Sequence, residues 1–193
     1  MMRYLNRFQN YLRVSNALEI ARRLFVMNAF DGTLTILGVI IGAHLSGLDD
    51  PRAIITAGIG GSLAMGISGI SGAFMAERAE RRRDLRKLES AMLRCMDDTE
   101  FARASKFAAL VIAVVDGISP AICAGILIVP FLLVPAVDID TAFYASLSLS
   151  LIILFVLGIF LARISDEKPI ITGLQMIFVG VITIVLVSLI SSR

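Results

Sequence analysis

The sequence has no tryptophan, one histidine and two cysteines in 193 residues. One imidazole and two thiols, Cys95 and Cys123, cannot build a zinc-finger-like cluster, and without a CxxC pair they give no sign of a disulfide framework. HExxH, GxSxG and any Cys/His nucleophile arrangement are also missing, so nothing here points to an enzyme. The basic residues are spread among acidic neighbours without an interleaved aromatic platform, which argues against nucleic-acid binding despite the net charge of +2. The most informative absence is of Lys and Arg from five long stretches: 24–45, 53–76, 107–134, 142–162 and 170–190.

Those stretches account for a hydrophobic content of 57% and a mean hydropathy of +0.84, more apolar surface than a soluble domain of this length could bury. Each is long enough to cross a hydrocarbon core of about 30 Å as a helix. The fold class expected is therefore an all-α integral membrane protein with five transmembrane helices. No cleavable signal peptide is evident, since more than twenty mixed residues precede the first apolar run. Orientation follows from the basic residues, which stay cytoplasmic in short loops. With the amino terminus inside and the carboxyl terminus outside, only Arg52 and Arg193 of the eighteen basic residues fall on the far side.

Residues 1–23 place Tyr4, Leu5, Phe8, Tyr11 and Leu12 at helical spacing among arginines, the pattern of an amphipathic interfacial helix. Asn16, with Glu19 three residues on, is the expected cap of a helix running into the first span. Residues 24–76 form the first two spans, 77–106 a charged cytoplasmic segment, and 107–193 the last three spans. The turn "SGLDDPR" has the residues that end one helix and begin the next, with Asp49 and Asp50 as caps rather than ligands. The charged segment is expected to be a helical hairpin or a broken helix. Pro120 and Pro130 predict a kink or local unwinding in the third span.

Chemistry concentrates on two carboxylates. Asp31 lies about 12 Å along a helix from Arg23, and Asp116 about 15 Å from Lys106, so both reach similar depth from the same side. Ionised aspartate there costs several kcal/mol unless it pairs, faces a polar cavity or is protonated. Two readings compete for each. In one, the carboxyl group holds a proton until a divalent cation displaces it, as a proton-coupled transporter requires. In the other, it only fixes helix packing. Pro120 has no N–H to give the carbonyl of residue 116, and an oxygen outside the helical ladder beside a carboxylate suits a hard cation.

In the second span, Ala57, Gly61, Met65, Gly69, Gly72 and Ala76 recur every three or four residues, and Gly38 and Gly42 form a GxxxG in the first. Gly38, Gly42, Gly61, Gly69 and Gly72 are read as helix-packing positions. The thioether of Met65 could join carboxylates on a softer transition metal or simply pack. Glu77, Glu80 and Asp84 share a face where they could draw cations to an entrance, while Arg78 and Arg81 offer them partners in a solvated charge ladder. His44, near the outer end of the first span, reads as an interfacial residue before a ligand.

"FDGTLTILGVIIGAHLSGL", "MGISGISGAFMAE", "LGIFLAR" and "GLQMIFVG" together resemble the vacuolar iron transporter family, in that order and over most of the chain. The resemblance implies five transmembrane helices, a homodimer, and exchange of ferrous or related divalent cations for protons. It gives ion binding to Asp31, the aspartate before glycine. Aligned without gaps, the family's second-helix methionine ligand falls on Gly69 and a frequently acidic position on Ala73, so neither role transfers. Met65 is a substitute candidate, and the family's glutamate-rich cytoplasmic domain has only a shorter counterpart here. The expected activity is divalent transition-metal transport, Fe²⁺ or Mn²⁺, by a homodimer in the cell membrane. Its partners are the lipid bilayer and the transported ion, with no permanently bound cofactor and no nucleic acid. The alternative is a non-transporting scaffold whose buried aspartates are structural and whose charged helix recruits a partner.

Overall fold

The computed structural model describes residues 17–48, 50–96, 99–134 and 136–191, and five α-helices follow one another through them. These are α1 (Ala17–Leu45), α2 (Pro51–Met92), α3 (Glu100–Leu132), α4 (Ile139–Ser165) and α5 (Pro169–Ser191). All five are long and apolar enough to span a membrane, as the apolar stretches require. Residues 1–16 of the expected amphipathic helix, with the cap Asn16, lie outside the described residues, and residues 17–23 belong to α1.

Local chemistry sets the helix ends. Pro51 opens α2 at a position where its missing N–H costs nothing, and Asp50 Oδ1 accepts a hydrogen bond from the Arg52 N–H at 2.9 Å. Asp49 lies outside the described residues. Leu93, at φ 50, breaks the far end of α2, where the Arg94 N–H reaches back to the Glu89 carbonyl at 3.3 Å. Thr99 then starts α3, its hydroxyl oxygen accepting from the Ala102 N–H at 3.3 Å. Asp166, at φ 55, closes α4 with its N–H on the Ala162 carbonyl.

One expectation is met and another corrected. The charged segment forms the expected helical hairpin: α2 runs unbroken for 42 residues, about 63 Å, from the apolar span through Met92, and after the break at Leu93 the chain returns as α3 from Glu100. Helix-forming Glu, Arg, Lys and Leu fill the segment, and Arg81–Glu77 and Lys87–Asp84 pairs tie successive turns together at 3.1 and 3.2 Å. Of the kink or local unwinding expected in the third span, the unwinding is not found: α3 is one continuous helix with Pro120 and Pro130 inside it. Pro120 is buried against α1, and Pro130 falls in the last turn, where the Leu133 and Val134 N–H groups bond carbonyls three residues back.

Two compact units emerge. The first comprises α1 up to Phe25, α2 from Ile67 and α3 up to Ile118. Its core joins Ala17 and Ala21 to Ala108 and Ile112, with Leu24, Phe107 and Val115 packed around them. The second holds Val26–Gly66 and Ser119–Arg193. Its core runs through Ile36, Leu37, Ile40, Leu127, Phe131 and Phe143. There α4 and α5 approach closely, since a Cβ at Gly158 would lie 2.6 Å from Gly173 Cα. A buried Ser146 hydroxyl donates to the Leu127 carbonyl at 2.7 Å, joining α4 to α3.

Candidate functional site

Asp31 is an exposed carboxylate on the surface of the single chain, within the apolar part of α1. Its setting is built by its neighbours. Gly32 is buried against α3, where an added Cβ would come within 2.6 Å of Pro120 Cα and 2.8 Å of the Pro120 carbonyl oxygen. Only hydrogen fits at that contact, so the glycine after Asp31 lets two helix backbones touch. Thr33 is fully buried, donates to the Ala29 carbonyl at 2.7 Å and shares a side-chain hydrogen bond with Cys123. One turn of α1 is thus clamped to α3 immediately beside the carboxylate. The individual residues were visible in the sequence, but their pairing was not, because helical periodicity does not say which turn meets which.

Asp116 belongs to the first unit and is 9% exposed. A Cβ at Gly69 would lie 3.0 Å from Asp116 Oδ2, 3.0 Å from Gly117 Cα and 3.3 Å from the Asp116 carbonyl oxygen. Both oxygens of the Asp116 site therefore border the volume that a side chain at residue 69 would occupy. Where the family resemblance leads to a methionine, this chain has a glycine whose place is taken up by a carboxylate from the neighbouring helix.

The other residues singled out from the sequence are dispersed. Met65 is half-buried and lies with Asp31 in the second unit. Glu77 pairs with Arg81 and Asp84 with Lys87, while Glu80 is exposed on the same helix. Among the described residues, no three His, Cys, Asp or Glu side chains of one chain are gathered as a metal cluster. His44 stacks on Phe143 with ring centroids 3.9 Å apart, and its Nδ1 is 4.0 Å from Asp140 Oδ1. Of the five helix-packing glycines, Gly69 alone makes a close approach among the described residues. A Cβ at Gly38, Gly42, Gly61 or Gly72 would meet nothing within 4 Å.

A carboxylate in an apolar helix and a second one beside a backbone oxygen suit binding and release of a cation. Comparison with known proteins agrees. An uncharacterized protein of Methanocaldococcus jannaschii is 39% identical over 162 residues, covering 82% of each chain. The VIT family model matches residues 22–103 and 83–192. The protein is a multi-pass membrane protein belonging to the VIT family of membrane metal-ion transporters.

Proposed function

We propose that the chain carries a divalent transition metal, Fe²⁺ or Mn²⁺, across the cell membrane in exchange for protons, as a homodimer whose α1 and α2 line the shared interface. The observation that carries this reading is the position of Asp31. An exposed carboxylate within an apolar span costs several kcal/mol against lipid, so this face must meet a polar cavity, an ion or another chain. The open surfaces at Gly38, Gly42, Gly61 and Gly72 favour another chain, because small residues with nothing packed on them allow a helix to approach closely. Two copies would also bring together more ligands than the described residues of one chain gather.

In this mechanism Asp31 binds the ion and exchanges it for a proton, held rigidly by the Gly32 and Thr33 contacts behind it. Asp116 supplies a second carboxylate with its backbone oxygen, and Met65 biases the pathway toward a transition metal. Glu77, Glu80 and Asp84 would serve as an entrance, weakened by the two ion pairs on that face. The amino terminus lies in the cytoplasm, on the strength of the basic-residue distribution. The test is metal flux into proteoliposomes under an imposed pH gradient, wild type against Asp31→Asn. The mechanism predicts gradient-dependent flux that the substitution abolishes. Equal, gradient-independent flux in both would sink it. If instead Asp31→Asn lowers dimer content and Fe²⁺ or Mn²⁺ fails to stabilise the wild type, the scaffold reading prevails.

A further inference from the structure

A cavity of about 330 Å³ lies wholly within the first unit, between α2 and α3. That volume is at the small end of the range for ligand sites, about 300–1,000 Å³. Four cationic side chains line it: Arg78, Arg81 and Arg82 from α2 and Lys106 from α3. Arg81 is engaged by Glu77 at 3.1 Å. Arg78, Arg82 and Lys106 have no carboxylate within ion-pair distance among the described residues, and all three are exposed at the rim. The remaining wall is apolar or weakly polar, with Phe74, Leu85 and the buried Ser105.

The cavity sits where both helices change character. On α2 the apolar run ends at Ala76 and the charges begin at Glu77; on α3 the last charge is Lys106 and the apolar run begins at Phe107. It therefore lies at the membrane–water boundary, with cations at its mouth and hydrocarbon behind. We propose that this cavity is a binding site for the headgroup of an anionic phospholipid. Guanidinium groups match phosphate oxygens with paired hydrogen bonds, Lys106 adds a point charge, and the Ser105 hydroxyl can donate. Basic pockets between transmembrane helices recognise lipid phosphates by this combination, the acyl chains remaining in the bilayer. A soluble phosphate would use the cations but not the apolar surroundings, and this favours the lipid. A larger groove of about 920 Å³ also has arginines, but all its lining residues come from one helix, so it is a solvated face rather than an enclosed site.

The proposal needs only that α2 and α3 span a membrane, so its test reads lipid retention rather than transport. The detergent-purified full-length protein is incubated with dioleoyl phosphatidylglycerol, dioleoyl phosphatidylcholine or inorganic phosphate, and retained lipid is counted by native mass spectrometry alongside thermal unfolding. The expected result is selective retention of, and stabilisation by, phosphatidylglycerol, with no competition from phosphate. Arg78→Gln/Arg82→Gln/Lys106→Gln should weaken retention on the order of tenfold. Arg83→Gln/Arg86→Gln/Lys87→Gln, which removes equal charge from the exposed face, should leave it intact. Lys106→Gln alone, at an exposed position, gives a smaller loss in the same direction should the triple variant fold poorly. Equal losses from the two triple variants would reduce the effect to diffuse attraction and overturn the site. So would indifference to lipid charge, or displacement of phosphatidylglycerol by inorganic phosphate.

Discussion

Gly32→Ala is the sharpest probe of how Asp31 is held. The added Cβ would sit 2.6 Å from Pro120 Cα, 2.7 Å from Pro120 Cβ and 2.8 Å from its carbonyl oxygen, whereas ordinary contact begins near 3.4 Å. Two of these three atoms are backbone, so no rotamer change relieves the clash and α1 must move away from α3. Overpacking of this kind costs about 1–3 kcal/mol. Alanine returns up to about 1 kcal/mol through its better helix propensity. The net expectation is a loss of about 1–2 kcal/mol. Gly125→Ala is the matched control, because a Cβ there meets nothing within 4 Å and the propensity gain stands alone. For a chain of this size each kcal/mol shifts the melting temperature by roughly 2–4 °C, which separates the two variants by several degrees. The sequence has no tryptophan to report unfolding, but Cys123 is only 6% exposed, and with the exposed Cys95 replaced by serine a thiol-reactive fluorophore added during heating detects its release. Gly32→Ala melting at or above wild type would refute the close contact, as would an equal fall in Gly125→Ala.

Two further outcomes follow from the same geometry. Asp116→Asn preserves side-chain shape against Gly69, so the metal-free protein should melt as wild type does, while apparent Mn²⁺ affinity falls by on the order of tenfold or more; a drop in metal-free stability with unchanged affinity would make Asp116 purely structural. Cys95 is exposed beyond the end of α2 and Cys123 is buried in α3, so a membrane-impermeant maleimide should label the chain at Cys95 from the cytoplasmic side only; labelling of intact cells from outside would invert the proposed orientation.

Much of this protein was legible without coordinates because the bilayer acts on sequence in one dimension. A backbone in hydrocarbon must satisfy its own hydrogen bonds, so five apolar stretches of sufficient length without Lys or Arg imply five helices, all observed. The order of four motifs pointed to the family that the comparison then showed. Asp31 and Asp116 stood out because each is the single Asp, Glu, Lys or Arg of its apolar stretch. Continuity was harder to read: the charged segment left a hairpin or a broken helix open, and a run of good helix formers with stabilising pairs carries α2 on to Met92 before the chain turns into α3.

Only the tertiary structure decided which glycine serves which contact. Gly32, Gly58, Gly69 and Gly158 lie against neighbouring helices, while Gly38, Gly42, Gly61 and Gly72 open onto space within the chain. All are small residues on apolar helices and look alike in sequence. What distinguishes them is helix rotation and axial offset, set by the packing of many side chains at once. The same rotation brings Asp116 against Gly69 and gathers Arg78, Arg82 and Lys106 around one cavity. Sequence alone determined that the chain lives in a membrane and which charges are expensive there; packing decided what those charges face.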